Sequence, residues 1–307
     1  MEDYPHTLLD MERRFANDEA CRAYLFSLRW SEGFVCPRCS GQHAWPMERG
    51  LWLCQQCRAQ VSVTAGTIFQ DSRLPLVLWF RAVWYVTTQK NGVSASGLQR
   101  VLGLGSYKTA WTMLHKLRRA MIRPGRERLS GLIEVDEAFW GGEEVGLRGR
   151  GGEAKILVLV AAEADGKGIG RVRLSTALDQ SRMSLHGFIQ QTVEPGSTVR
   201  TDGYNHYLGL EGYVHDRHIQ TKQPERVHVL PRVHRVISLL KRWLMRTHQG
   251  AISQDQLNHY LDEFTFRFNR RKSAWRGKLF YRLMQQAVQV EPTPYQKLIK
   301  PQPIVRG

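Results

Sequence analysis

LIEVDEAFWGG, residues 132–142, alternates apolar and acidic side chains and then breaks at a glycine pair. In an extended strand Ile133 and Val135 share one face, while Glu134 and Asp136 share the other. Downstream, EAKILVLVAAEADGKGIGRVRLSTAL (153–178) holds two strand-like runs joined through Asp165-Gly166 and Lys167-Gly168, a hairpin signature. The Gly- and charge-rich loop GGEEVGLRGRGG (141–152) separates the two pieces. Residues 181–193 read as a helix, and GSTVRTDGYNHY (196–207) adds a short strand over VRTD. Three antiparallel strands, a helix, a further strand and then helices define an α/β core rather than a β-sandwich.

The rest of the chain frames that core. Its 307 residues suffice for two or three modest domains, and a hydrophobic fraction of 42% is ordinary for a folded protein. Lys and Arg number 44 against 28 Asp and Glu, a net charge of +16 spread over the whole chain. Nucleic acid is the simplest partner, because backbone phosphates reward distributed cations whatever the base sequence. A solubility charge or an acidic membrane surface is the plainer alternative. No run approaches the ~18 apolar residues of a membrane span, and MEDYPHTLLDMERRF lacks the basic-then-apolar pattern of a secretory signal. Membrane association is therefore not expected. Four of the five cysteines form two CxxC pairs, which reads as metal ligation in a reducing, cytoplasmic compartment.

Those pairs, Cys36/Cys39 and Cys54/Cys57, lie fourteen residues apart after a helical run, NDEACRAYLFSLRW. Two facing turns place four thiolates around structural Zn²⁺, a zinc ribbon. His43 is expected at the surface, and Cys21 as a buried small hydrophobe rather than a fifth ligand. Residues 74–92 and 93–121 then read as helices, with a turn at Gly103 and Gly105. That order suits a helix-turn-helix in which Ser106, Tyr107, Lys108 and Thr109 open a recognition helix; three helices packed for structural reasons would look much the same. Residues 122–131 read as a linker, 227–286 as mostly helical, and the proline-containing tail as a loosely ordered arm.

Asp136 and Asp202 are the acidic positions of interest. Taken singly, Asp136 followed by Glu reads more readily as a solvated edge than as a ligand, and Asp202 before a glycine more readily as a turn. Together, inside a basic protein, they suit phosphoryl transfer, in which carboxylates hold divalent metal and surrounding cations hold the phosphates. Within VHVLPRVHRVISLLKRWLMRTHQG (227–250), His234 and Lys241 are seven residues apart and so share a helix face, with Val233, Ile237, Leu240 and Leu244 as the apolar stripe.

CPRC…CQQC, LIEVDEAFWGG, GSTVRTDGYNHY, HRVISLLKRWLMRTHQG and YLDEFTFRFNRR, in that order, resemble the bacterial and archaeal insertion-sequence transposases of the IS1595 family, with a zinc-ribbon front end and an ISXO2-like catalytic domain. The resemblance covers nearly the whole chain. It implies an RNase H-like catalytic core with Asp136 on the first strand, Asp202 just after the fourth, His234 on a later helix and Lys241 seven positions on. The third residue is commonly Glu in related transposases. An imidazole in its place shifts a site from Mg²⁺ towards Mn²⁺, with Glu134 and Glu137 as possible accessory carboxylates. Lys241 and Arg242 suit phosphate contacts. Arg267, Arg270 and Arg271 lie on a helix-then-loop segment, bracing the centre or gripping DNA.

The segments expected are 1–70 (N-terminal helix and ribbon), 71–128 (helix-turn-helix-like), 129–286 (catalytic) and 287–307 (arm). The activity implied is metal-dependent cleavage and strand transfer at terminal inverted repeats. Its partners would be terminal-repeat and target duplex DNA, and a dimer or larger synaptic complex near a prokaryotic nucleoid. An RNase H-like nuclease without strand transfer, or a non-catalytic DNA-binding regulator, are the other readings.

Overall fold

The computed structural model describes residues 2–123, 125–141, 155–219, 229–250 and 252–300. The loop expected at 141–152 lies, beyond Gly141, outside the described residues. The chain divides into two compact units, one of residues up to Arg123 with Lys272–Lys300, the other containing Pro124–Arg271.

The first unit opens with α1 (Leu8–Arg14) and α2 (Asp18–Arg29), whose starts are capped by the side chains of Thr7 and Asn17. An antiparallel sheet follows, β1 (Ala44–Pro46), β2 (Leu51–Cys54) and β3 (Gln60–Ser62), in the order β1-β2-β3. Next come α3 (Leu76–Thr88), α4 (Ala95–Leu102) and α5 (Tyr107–Ala120). Gly103, at φ 63°, ends α4 in the left-handed conformation that glycine adopts without a Cβ penalty, and Ser106 caps α5 by accepting from Thr109 N at 3.1 Å.

The second unit is a three-layer α/β/α sandwich. Its sheet comprises β4 (Leu132–Trp140), β5 (Ile156–Asp165), β6 (Gly168–Ala177), β7 (Thr198–Thr201) and β8 (Val214–Arg217), in the order β6-β5-β4-β7-β8. β5 runs antiparallel to both neighbours, while β4, β7 and β8 are parallel. This is the RNase H-like arrangement, and β5, buried over its first seven residues, reads accordingly as an unbroken apolar run. α6 (Arg182–Thr192) packs with Ile133 and Val135 on one face. α7 (Pro231–His248) and α8 (Leu257–Asn269) cover the other through Val233, Val236, Leu240, Leu244, Leu261 and Phe264.

Several expectations change here. β8 was not foreseen, because VHDR mixes charged residues into a four-residue strand. The buried stripe of α7 uses Val236 rather than Ile237, which is only half-buried. α9 (Arg276–Ala287) belongs to the first unit, not to the sheet unit that the sequence extended to 286. Its Phe280 joins Phe15, Tyr24 and Phe80 in an aromatic core. Gly277 is required there, since a Cβ would fall 1.7 Å from the Pro5 carbonyl oxygen. The tail is not loose through residue 300: Thr293 is buried, and α10 (Tyr295–Leu298) seats a fully buried Leu298. The last seven residues lie outside the described set.

Candidate active site and zinc centre

The ribbon's two CxxC turns are built alike. Ser40 N bonds the Cys36 carbonyl at 2.9 Å, and Arg58 N bonds the Cys54 carbonyl at 3.0 Å. The residue after each second cysteine, Ser40 or Arg58, adopts a positive φ of 61° or 59°. The turns bring all four Sγ atoms within 4.8 Å of one another. Cys36–Cys57 and Cys39–Cys54 separations are 3.7 and 3.6 Å. A tetrahedron with Zn–S bonds of about 2.3 Å has edges of about 3.8 Å, so the cluster fits Zn²⁺. His43 is exposed, as expected, and Cys21 is fully buried, its thiol pushed up to about 12 by desolvation.

In the sheet unit, register sets the second site. β4 and β7 pair in parallel at Glu134↔Arg200, and β7 and β8 at Thr201↔Arg217. Asp136 therefore lies on β4 level with Asp202, just past the end of β7, and Asp202 lies level with His218, just past β8. Asp136, Asp202, His218, His234, Lys241 and Glu137 line one cleft of ≈ 720 Å³. His234 Nε2 stands 3.0 Å from Asp136 Oδ2, whose other oxygen accepts from Glu137 N at 2.8 Å. Asp202 Oδ1 accepts from Tyr204 N at 2.9 Å, which ties it to the turn that follows. Burial raises the Asp136 carboxyl above its usual range, with nearby Asp202 adding to the rise while His234 opposes it. A bound cation would offset that desolvation, and two carboxylates with one imidazole form a donor set that Mn²⁺ or Mg²⁺ accepts. Among the described residues only the four thiols converge within 4.8 Å as a group of three or more such ligands. The cleft donors line one cleft without that convergence.

Lys241 lies two turns from His234, with Ile237 between them on the cleft wall. Arg242 is exposed beside it. Glu134, expected from sequence with Glu137 as an accessory carboxylate, does not line the cleft. It is completely buried and bonded to the start of α7, because the α7 face of β4 is closed at that level. Glu137 does line the cleft, but its carboxylate accepts from Gln180 Nε2 and Tyr207 OH, each at 2.8 Å. Tyr207 is fully buried, and desolvation raises its phenol well above the ordinary range.

Arg271 reaches the carbonyls of Ile169 and Gly170 and stacks on Phe268 at 3.9 Å. Arg270 stacks on Phe266 at 4.0 Å. Arg271 thus ties the end of α8 to β6, Arg270 bonds the Phe266 carbonyl of its own helix, and both, like Arg267 on α8, are half-buried. In the first unit Tyr107 and Lys108 are exposed, and Lys108 Nζ lies 4.0 Å over the Tyr295 ring. Ser106 and Thr109 share a 2.9 Å contact between hydroxyls within the α5 cap.

His218 escaped the sequence reading together with β8. Its Nε2 is 2.9 Å from Asp216 Oδ1, while Asp216 Oδ2 accepts from Arg200 Nε at 2.7 Å and sits below the usual carboxylate range, chiefly through that bond. The run Tyr213 to Arg217, two apolar residues followed by three polar ones, carries no strand alternation that would have marked it.

A four-cysteine ribbon precedes an RNase H-like sheet in which Asp136, midway along β4, lies level with Asp202 just past β7. Residues 128–269 match the ISXO2-like transposase domain, and residues 16–60 match the transposase zinc-ribbon domain of the IS1595 group. The chain belongs to the IS1595 family of transposases. It is also similar to a Halobacterium salinarum protein named "Uncharacterized protein in transposable element ISH50", with 29% identity over 293 residues, covering 83% of this chain and 90% of that relative. Among the described residues no helix is long and apolar enough to cross a membrane.

Proposed function

We propose that this chain cuts DNA at the terminal inverted repeats of an insertion sequence and joins the freed 3′-hydroxyl to target DNA. The observation that carries this reading is the cleft uniting Asp136, Asp202, His234 and Lys241. Asp136 and Asp202 would hold Mg²⁺ or Mn²⁺, with His234 as the nitrogen donor. When bound, that ion lowers the pKa of water or of a 3′-hydroxyl and stabilises the leaving oxygen. His234 Nε2 lies 3.0 Å from Asp136 Oδ2, so a cation held by Asp136 would have the imidazole at hand. Lys241, exposed on the same wall, meets the scissile phosphate as a mobile point charge.

DNA binding follows from the same division of labour. The helix pair α4–α5 presents Tyr107 and Lys108 to the terminal repeat, Arg242 contacts backbone phosphate, and the distributed positive charge holds target duplex without reading its bases. Two ends must meet for joining, so the working form is a dimer or larger, acting on DNA in the nucleoid.

The test is strand transfer of a labelled terminal-repeat duplex in Mg²⁺ and in Mn²⁺, with Asp136→Asn and His234→Ala beside the parent. Joined product from the parent, lost in Asp136→Asn and reduced in His234→Ala, is expected. Cleavage without joining would reassign the chain as a nuclease. Tight binding with neither reaction would leave a DNA-binding regulator.

A further inference from the structure

We propose that Glu134 is a positioning residue for the cleft: a buried carboxylate that fastens the first turn of α7 to β4 and thereby sets His234 against Asp136. This inference rests on the reading of the cleft as a metal-dependent site.

The start of α7 needs an external acceptor. Its N-cap is Leu230, which offers no side-chain cap, and Pro231 at the first helical position has no N–H. The next two amides, of Arg232 and Val233, precede the first intrahelical bond, which His234 N makes to the Leu230 carbonyl at 3.1 Å. Helices usually satisfy such amides with a neighbouring Ser, Thr, Asp or Asn. Here the acceptor comes from a residue about a hundred positions upstream. Glu134 Oε2 accepts from Arg232 N at 2.7 Å and from Val233 N at 3.0 Å, and Oε1 accepts from Arg232 Nη1 at 2.8 Å.

The connection has consequences for the cleft. Glu134 is two residues from Asp136 on the same face of the central strand, and Val233 is adjacent to His234. One carboxylate thus references both residues to each other. Arg232 extends the tie to the β5–β6 turn, donating to the carbonyls of Gly168 at 3.0 Å and Gly166 at 2.8 Å. A negative group at a helix start is also favoured by the helix dipole. Further along α7 the anchor is apolar packing of Val236, Leu240 and Leu244. Loss of Glu134 therefore releases the turn that carries His234 and leaves the turn that carries Lys241 in place.

The test uses the full-length protein with labelled histidine rings, the His234 signal being the one missing from His234→Ala. In metal-free protein, Glu134→Gln should shift the His234 ring signal away from its parent position while the other ring signals and the melting temperature show the fold intact. On titration with MnCl₂, broadening of that signal should require about tenfold to a hundredfold more Mn²⁺ than in the parent, the usual scale for loss of a residue that orients a ligand. Arg232→Lys keeps both amide bonds to the carboxylate but loses the guanidinium bond to Glu134 Oε1 together with the fork to the hairpin turn, and should shift the same signal by less. If Glu134→Gln does not fold, Arg232→Lys decides. A His234 signal unchanged in the folded variant, or in Arg232→Lys where only that variant folds, overturns the proposal whatever Mn²⁺ does. An identical Mn²⁺ profile in parent and folded Glu134→Gln overturns it as well. Absence of broadening in the parent would instead overturn the metal reading of the cleft, with the metal-free ring shift still judging Glu134.

Discussion

The ribbon and the cleft both suit cations, yet they are assembled in opposite ways. The ribbon takes four thiols from residues 36 to 57, supplied by two turns of the same shape, and holds them already converged. The cleft takes its groups from β4, the end of β7 and α7, separated by tens of residues, and leaves them open to solvent on one side, with the His234 side chain 47% exposed. A closed shell of soft ligands stabilises a fold, whereas an open shell of hard ligands keeps room for substrate. That contrast orders the expected effects of perturbation.

Removing zinc should have the largest effect. A structural zinc contributes on the order of 10 kcal/mol to a small metal-bound fold. Chelation, or Cys54→Ser, should therefore expose the β1–β3 amides to rapid hydrogen exchange and disrupt the Phe26–Trp52 ring contact of 4.3 Å, while β5 in the sheet unit keeps its protection. Equal loss of protection in β5 would mean that the ribbon's metal supports the sheet unit too.

Asp136→Asn should show the reverse pattern, with strand transfer at background and stability little changed or raised, since burial already disfavours the charged carboxyl. Calorimetry beside the joining assay checks both halves.

Packing offers a finer test within α7. Val236 is fully buried, so Val236→Ala should cost about 2 kcal/mol in denaturant unfolding, from two lost methylene equivalents and the cavity left behind. Ile237→Ala should cost less stability and alter activity more, because Ile237 faces the cleft between His234 and Lys241. Equal costs would contradict the division of faces described here.

The smallest effect belongs to the pair Arg200–Asp216, which stands 2.7 Å apart and about one-third exposed. Its Asp216 carboxyl lies below the ordinary value in the folded protein, so its contribution is present above the unfolded pKa and is lost as pH falls through the folded one. Asp216→Asn should lower stability by less than about 1 kcal/mol at pH 7, and the difference from the parent should vanish in acid unfolding measurements below the folded pKa.

What the sequence disclosed follows the same contrast. The CxxC turns are local, and their spacing alone specifies a four-ligand shell. The β5–β6 hairpin is local too, marked by Asp165-Gly166 between two apolar runs. Asp136, His234 and Lys241 emerged from strand alternation, helix period and family resemblance. Glu134 was misassigned because alternation gives the face of a strand but not what closes over it: the same face that opens into the cleft at Asp136 is sealed by the start of α7 at Glu134. β8 was missed because four residues with three polar side chains carry no usable period, and its pairing with β7 is a long-range fact. The placement of α9 with the first unit was equally hidden, since the aromatic contacts that draw Phe280 towards Phe15 and Phe80 join residues about two hundred positions apart or more.

The measurement that reaches the central claim most directly is a metal inventory of the full-length protein: zinc by elemental analysis, and Mn²⁺ by electron paramagnetic resonance titration, in the parent, Asp136→Asn and Asp202→Asn. Zinc should stay at one per chain in all three, while Mn²⁺ bound by the parent should be lost or strongly weakened in both variants. Mn²⁺ binding that is the same in the parent and in both variants would contradict the assignment of the cleft as a metal site.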